Sequence, residues 1–163
     1  MALATRKEAM RIVYESAFLR IQHDAAFRTL ELEWLDFANS EQVRMGMLEG
    51  LGHAHRLHAR AWIGNLKRMR VIRPQDQQWI YETWFPRFAQ LGIRRLAIVE
   101  SDDKLNRMGV AQIMQHAVGS VPLATAYFQD VEAARTWASR YTNDTLPVLL
   151  EAPAVSYPGT DVW

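Results

Sequence analysis

Between Arg60 and Val99 a short apolar strand, Trp62-Ile63, leads through a basic loop into Arg73-Pro74-Gln75-Asp76, a helix rich in aromatic residues and a second apolar strand. Two strands joined through a helix form the parallel crossover unit, because a tight turn cannot close a parallel pair. This stretch therefore predicts half of a small α/β sheet domain. Pro74 suits a first helical position, where its missing N–H would have had no intrahelical partner. Ile80, Trp84, Phe88 and Leu91 then recur on one stripe, and Gly92 supplies a left-handed stop. Pro86 lies inside the helix and predicts a kink, since it removes one backbone hydrogen bond. Arg95 to Val99 has the nearly continuous apolar pattern of a central strand covered on both faces.

The flanking segments extend the same sheet. Leu19, Ile21 and His23 alternate with polar residues, as do Leu30, Leu32 and Trp34 after Asp24-Ala25-Ala26, which predicts a β-hairpin with one buried face. Ile12 to Tyr14 adds a short strand ahead of it. Asn39-Ser40 predicts a helix start capped by the serine hydroxyl, followed by Val43, Met47, Leu51, Ala54 and Leu57 at helical spacing. Val110, Ile113, Met114 and Ala117 mark a third helix, Leu123 to Phe128 another strand, and Asp130 caps a short final helix carrying Ala134 and Trp137. The expected fold class is α/β, with a single mixed sheet opened by an N-terminal hairpin and about four helices packed on it. Residues 1–11 read as a tail and 12–140 as the domain. Residues 141–163 read as an extended arm, because Pro147, Pro153 and Pro158 interrupt regular structure while Leu146, Leu149, Leu150 and Trp163 supply apolar area to dock in cis or on a neighbouring chain.

Composition narrows the function classes. Nineteen basic residues against eighteen acidic ones leave a net charge of +1, so no general case for nucleic-acid binding arises. The chain has no cysteine, which excludes disulfides, thiolate metal sites and a cysteine nucleophile. Neither an apolar leader nor a run of about 20 apolar residues long enough to span a bilayer is found, and a cytoplasmic location is the expectation. No HExxH, Gly-rich phosphate loop or nucleophile elbow occurs. No enzyme activity and no cofactor are expected.

Three groups of residues are candidates for a site. From Arg56 to Arg73 six basic residues occur without an acidic one, and Lys67, Arg68, Arg70, Arg73 and Gln75 beside the start of a helix could hold an anion. The plainer reading is a solvated loop whose charges reach acidic neighbours. Trp79, Tyr81 and Phe85 spread beyond the core-facing stripe of their helix and, with Leu149 and Trp163 of the arm, could form a partner surface. The alternative is that loops or the arm cover them. His55 and His58 have the spacing to share a helix face, but His53 points elsewhere and His58 lies near the buried stripe, so packing is the reading and no metal is expected. Asp102-Asp103 follows a strand at the rim where ligands bind in open α/β sheets, a position that capping also explains.

The strings Glu31-Leu32-Glu33-Trp34, Trp62-Ile63, Val71 through Trp79, Trp84-Phe85-Pro86, Leu96 to Val99 and Tyr127 to Asp130, with the Ser40 helix start, resemble the STAS-like, SpoIIAA-like proteins, which are grouped with SEC14-type domains. The resemblance covers about residues 12 to 140. It implies a non-enzymatic binding or regulatory module acting through protein contact, or, by the SEC14 side, a carrier of a small apolar or anionic ligand. It also implies a phosphorylated serine at the helix start after a central strand. The matching stretch here, Gly64 to Asp76, contains no Ser, Thr or Tyr, so no phospho-switch is expected there. A homodimer is expected from the aromatic helix and the arm, since a twofold axis could bury both.

Overall fold

The strand signals resolve into one six-stranded sheet in a computed structural model that describes residues 10–117 and 123–141. Strands β1 (Met10–Glu15), β2 (Leu19–Asp24) and β3 (Thr29–Trp34) form an antiparallel meander. Strands β4 (Ala61–Asn65), β5 (Arg95–Val99) and β6 (Ala124–Phe128) continue it in parallel, and spatial order follows chain order. Four helices accompany them: α1 (Ser40–Leu57), α2 over residues 74–88, α3 (Lys104–Ala117) and α4 (Val131–Ala138). The α/β class, the single mixed sheet and the opening hairpin are thus as the residue pattern predicts. Leu149 and Trp163, and with them the arm as a docking element, lie outside the described residues.

The three crossovers all step the same way across the sheet, and right-handed connections then bring α1, α2 and α3 to one face. That face buries Leu19, Ile21, Leu30, Leu32, Trp34, Trp62, Leu96 and Ile98 under Val43, Trp84, Phe88 and Ile113. Three rings form its centre. The Trp62 ring meets Trp84 and Phe88 edge-on at 5.5 and 5.4 Å between centroids, arrangements worth about 0.5–1.5 kcal/mol each beyond the area they bury. The Trp84 indole N–H donates to the Met47 carbonyl at 2.8 Å, which ties α2 to α1 without leaving a buried donor unmet.

Helix α4 covers the opposite face, where Ala61, Ala97, Ala124 and Ala126 leave room for Ala134 and Trp137 to approach closely. Its anchor to the hairpin is ionic. Arg135 donates from Nε and Nη2 to the two oxygens of Glu31, both at 2.8 Å, and Glu31 is only 3% exposed. Arg95, fully buried in a strand whose other residues are all apolar, lies with its guanidinium carbon 4.3 Å from the Trp137 ring centroid and donates to the Trp137 carbonyl at 2.6 Å.

Local chemistry departs from expectation at three places. The cap of α1 is Asn39, whose side chain accepts from the Gln42 amide while Gln42 reaches back to the Asn39 amide. This reciprocal pair satisfies two helix-end donors and frees the Ser40 hydroxyl to donate to Asp76 at 2.8 Å. The break at Pro86 takes the form of a π turn, Ile80–Trp84, between the α-helical segments Pro74–Trp79 and Phe85–Phe88. A wider turn relieves the clash of the proline ring with the preceding carbonyls. His58 is not packed on the buried stripe: it is exposed and left-handed (φ 54°) at the C-cap of α1, where its amide closes onto Ala54 and His55 carbonyls.

Candidate functional site

Gly64 is the odd residue of β4. It faces the helix layer from the middle of the sheet, between Leu32 and Ile98 of the neighbouring strands. A Cβ built there would meet nothing nearer than Leu66 Cδ2 at 4.0 Å. Beside it lies a cavity of about 90 Å³ between the sheet and α1, α2 and α3. Trp34, Trp62, Met69, Trp84, Phe85 and Met114 are among the residues lining it, and no ionisable side chain is among them. Engineered apolar cavities of about 150 Å³ stay dry and bind benzene or xenon, and this space of about 90 Å³ is smaller than those. Three lining methionines, Met47, Met69 and Met114, are the unbranched side chains best able to shift for an occupant.

The loop between β4 and α2 closes one end of the cavity with Leu66, Met69 and Ile72. Its backbone is fixed by side chains beneath it. Ser101 Oγ donates to the Met69 carbonyl at 2.6 Å, Asn106 Nδ2 to Arg70 at 2.8 Å and Gln77 Nε2 to Ile72 at 2.7 Å. Buried carbonyls held in this way fix the loop's path, because each would cost about 1–3 kcal/mol if left unpaired.

The five residues predicted to hold an anion do not converge. Lys67 Nζ pairs with Asp102 at 3.2 Å and donates to the Gln129 carbonyl at 3.1 Å, and Arg68 pairs with Glu33 at 3.3 Å. Arg73, the N-cap residue of α2, makes no side-chain cap and lies with its guanidinium 5.4 Å from the Phe37 ring centroid. Arg70 and Gln75 are exposed. The first turn of α2 already carries a carboxylate, Asp76, which is 0% exposed, accepts from Ser40 and lies 3.6 Å from Arg44 Nε. That charge offsets the helix end that would attract an anion.

The aromatic helix is likewise turned inward. Phe85 is 4% exposed and lines the cavity, Tyr81 stacks on His116 at 4.1 Å and 12°, and Trp79 is half-buried with the Arg44 guanidinium 5.4 Å from its ring centroid. Phe85 therefore offers no surface to a partner. The cause is the π turn. Its extra residue rotates the rest of the helix by about 100°, which brings Phe85 into the core beside Trp84. Among the histidines, His53 is engaged by Glu49 and Arg56, His55 is exposed and His58 caps the helix. Among the described residues no three His, Asp or Glu side chains gather to hold a metal.

A polar cleft adjoins the cavity at the C-terminal ends of β5 and β6, with Leu66 and Val110 common to both. It is lined by Glu100, Ser101, Asn106, Arg107 and Tyr127 and has no interior volume of its own. Glu100 Oε1 accepts from Gln129 at 2.7 Å, and Arg107 donates to the Ser101 carbonyl at 2.8 Å. Burial pushes the Glu100 carboxyl above the ordinary carboxylate value, against smaller opposing pulls from Arg107, Gln129 and Lys67. Composition and motif spacing carry no signal for this cleft beyond the nearby Asp102-Asp103 rim. Gly64 does carry one, since an isolated glycine inside a strand marks a close approach or an unfilled position.

No protein-family model, curated protein or solved structure matches this chain. Among the described residues no helix is long and apolar enough to cross a membrane.

Proposed function

We propose that the chain is a non-enzymatic binding module of STAS/SpoIIAA-like type that holds a small apolar molecule in the cavity beside Gly64. The observation that carries the reading is the missing side chain at Gly64 on the core face of a central strand, where any larger residue would occupy the space. A lining without acids, bases or nucleophiles suits binding and offers nothing to transform a substrate. The family type rests on the sequence strings from Glu31 to Asp130, with which a mixed sheet entered through a hairpin is compatible.

The test is titration of the full chain with benzene, followed by the methyl resonances of Met47, Met69 and Met114, against Gly64→Val. Saturable shifts in the native chain that vanish in the variant are expected, with the variant at least as resistant to heat as the parent. The absence of any shift in the native chain at saturating benzene would overturn the reading.

A second reading, contact with a protein partner including a second copy of this chain, has one observation in its favour. Met45 and Leu48 on α1, and Leu105 and Met108 on α3, are large apolar residues left exposed. Sedimentation equilibrium at micromolar concentration decides the self-association case: a dimer dispersed by Leu105→Glu with Met108→Glu supports it, and a monomer refutes it.

A further inference from the structure

We infer that the cavity's ligand carries a hydrogen-bond donor at one end, a hydroxyl or an N–H on a small apolar body, and presents it to Asn106 and Glu100 across the partition formed by Leu66 and Val110. This rests on the proposed apolar cavity and adds polarity and orientation to it.

Two buried acceptors carry the argument. Asn106 is 0% exposed. Its Nδ2 donates to the Arg70 carbonyl, which fixes the amide's orientation because an oxygen there could not donate. Its Oδ1 is consequently the free end, and it has no partner among the described residues. Glu100 Oε2 is buried in the same cleft and likewise unpartnered, while Oε1 is held by Gln129. Both atoms are acceptors when the carboxylate is ionised, so the group that completes the cleft is a donor. Buried polar atoms in folded proteins generally have a partner, and each one without carries a desolvation cost that, in this cleft, a ligand's O–H or N–H would remove. The cleft and the apolar cavity share two walls, so one ligand can meet both. Leu66, only half-buried, is the side chain that must turn aside.

Benzene and phenol separate the possibilities because they differ by one hydroxyl. In a purely apolar cavity the hydroxyl loses its water and gains nothing, so phenol binds more weakly than benzene. With an acceptor in reach the order reverses, and about a tenfold preference for phenol is expected from one well-made hydrogen bond. The same titration of the full chain, read by methionine methyl shifts for affinity and by Asn106 side-chain amide shifts for position, gives the ratio. Asn106→Leu should abolish the preference, read as the ratio of phenol to benzene affinity within the variant, since loss of its bond to the Arg70 carbonyl loosens the cavity-closing loop for both probes alike. Should that variant fail to fold, Glu100→Met serves the same purpose, as Glu100 is less deeply set. Benzene binding with phenol no better, the pattern also given if a water satisfies the two acceptors, overturns this inference and leaves the cavity reading intact. Failure of both probes to bind overturns both.

Discussion

Gly50 of α1 lies so close to Trp62 of β4 that a Cβ built on it would stand 2.6 Å from Trp62 Cη2 and 2.9 Å from Leu32 Cδ2. One turn earlier Gly46 stands in the same relation to Trp34 and Leu19, at 2.5 and 2.8 Å. Residues four apart share a helix face, so the two glycines form a trough into which two tryptophans from neighbouring strands are laid. The trough brings α1 onto the sheet, and both indoles also line the cavity.

Alanine substitutions along α1 should therefore divide by face. At Gly52, where nothing lies within 4 Å, alanine should stabilise by about 0.5–1 kcal/mol through helix propensity alone. At Gly50 the same gain is outweighed, because Trp62 is braced by Trp84 and Phe88 and cannot give way; overpacking of about 1–3 kcal/mol leaves a net loss. Urea unfolding of both variants is the measurement, and equal stabilisation at the two positions would contradict the trough.

The extent to which this arrangement is legible in the sequence depends on period. The alternation of Leu30, Leu32 and Trp34 and the helical stripe of Val43, Leu51 and Ala54 are local signals, and each element they mark lies where expected. Groups that the chain brings together from afar leave no such mark. A buried Arg95 in an apolar strand, Glu31 paired with a residue more than a hundred positions away, and a polar cleft assembled from Glu100, Asn106 and Tyr127 have no local period. Phe85 departs from expectation for a different reason: a 3.6-residue repeat carried through Pro86 puts it on a flank of the helix, while the chain absorbs that proline by adding a residue to the turn.

The Glu31 and Arg135 pair sets a test of the opposite face. Arg135→Met leaves the Glu31 carboxylate buried without its two donors, a change that costs about 3–5 kcal/mol in comparable buried pairs. The double variant Glu31→Gln with Arg135→Met removes the stranded charge and should recover much of that loss. A loss of less than about 1 kcal/mol in the single variant, by denaturant midpoint, would place this pair with ordinary surface ion pairs.

The contact between Ser40 and Asp76 joins the first turns of α1 and α2. Ser40→Ala removes a hydroxyl donor from a fully buried carboxylate and leaves it Arg44 at 3.6 Å. A cost of about 1–3 kcal/mol is expected. Asp76→Asn in the Ser40→Ala background should restore part of it, since a neutral amide needs less compensation than a carboxylate. Hydrogen exchange at the amides of residues 75–79 checks the location: protection should fall there first in Ser40→Ala, and uniform loss over the whole sheet would argue against a local pin.

Acid should weaken the fold through His53 and His23 before the carboxylates titrate. Arg56 Nη2 lies 2.7 Å from His53 Nδ1, and a guanidinium can only donate, so Nδ1 accepts and the ring proton is on Nε2, 3.3 Å from Glu49. Burial, then Arg56, hold His53 below the ordinary imidazole value of 6.5, with Glu49 opposing; burial does the same to His23 against Asp24. A group with a depressed folded pKa binds fewer protons folded than unfolded between its two values. Its contribution is fully present above 6.5 and is lost as pH falls through that value toward the folded ones. Glu100 has the opposite sign, because its raised carboxyl takes up a proton more readily when folded, favouring the fold as pH falls through that raised value. Denaturant midpoints measured from about pH 7.5 to 5.5 in a Glu100→Gln background isolate the histidines. A decline across that range, flattened by His53→Gln together with His23→Gln, is the expected result, and an unchanged midpoint in the Glu100→Gln background would show that neither ring is neutral by virtue of the fold.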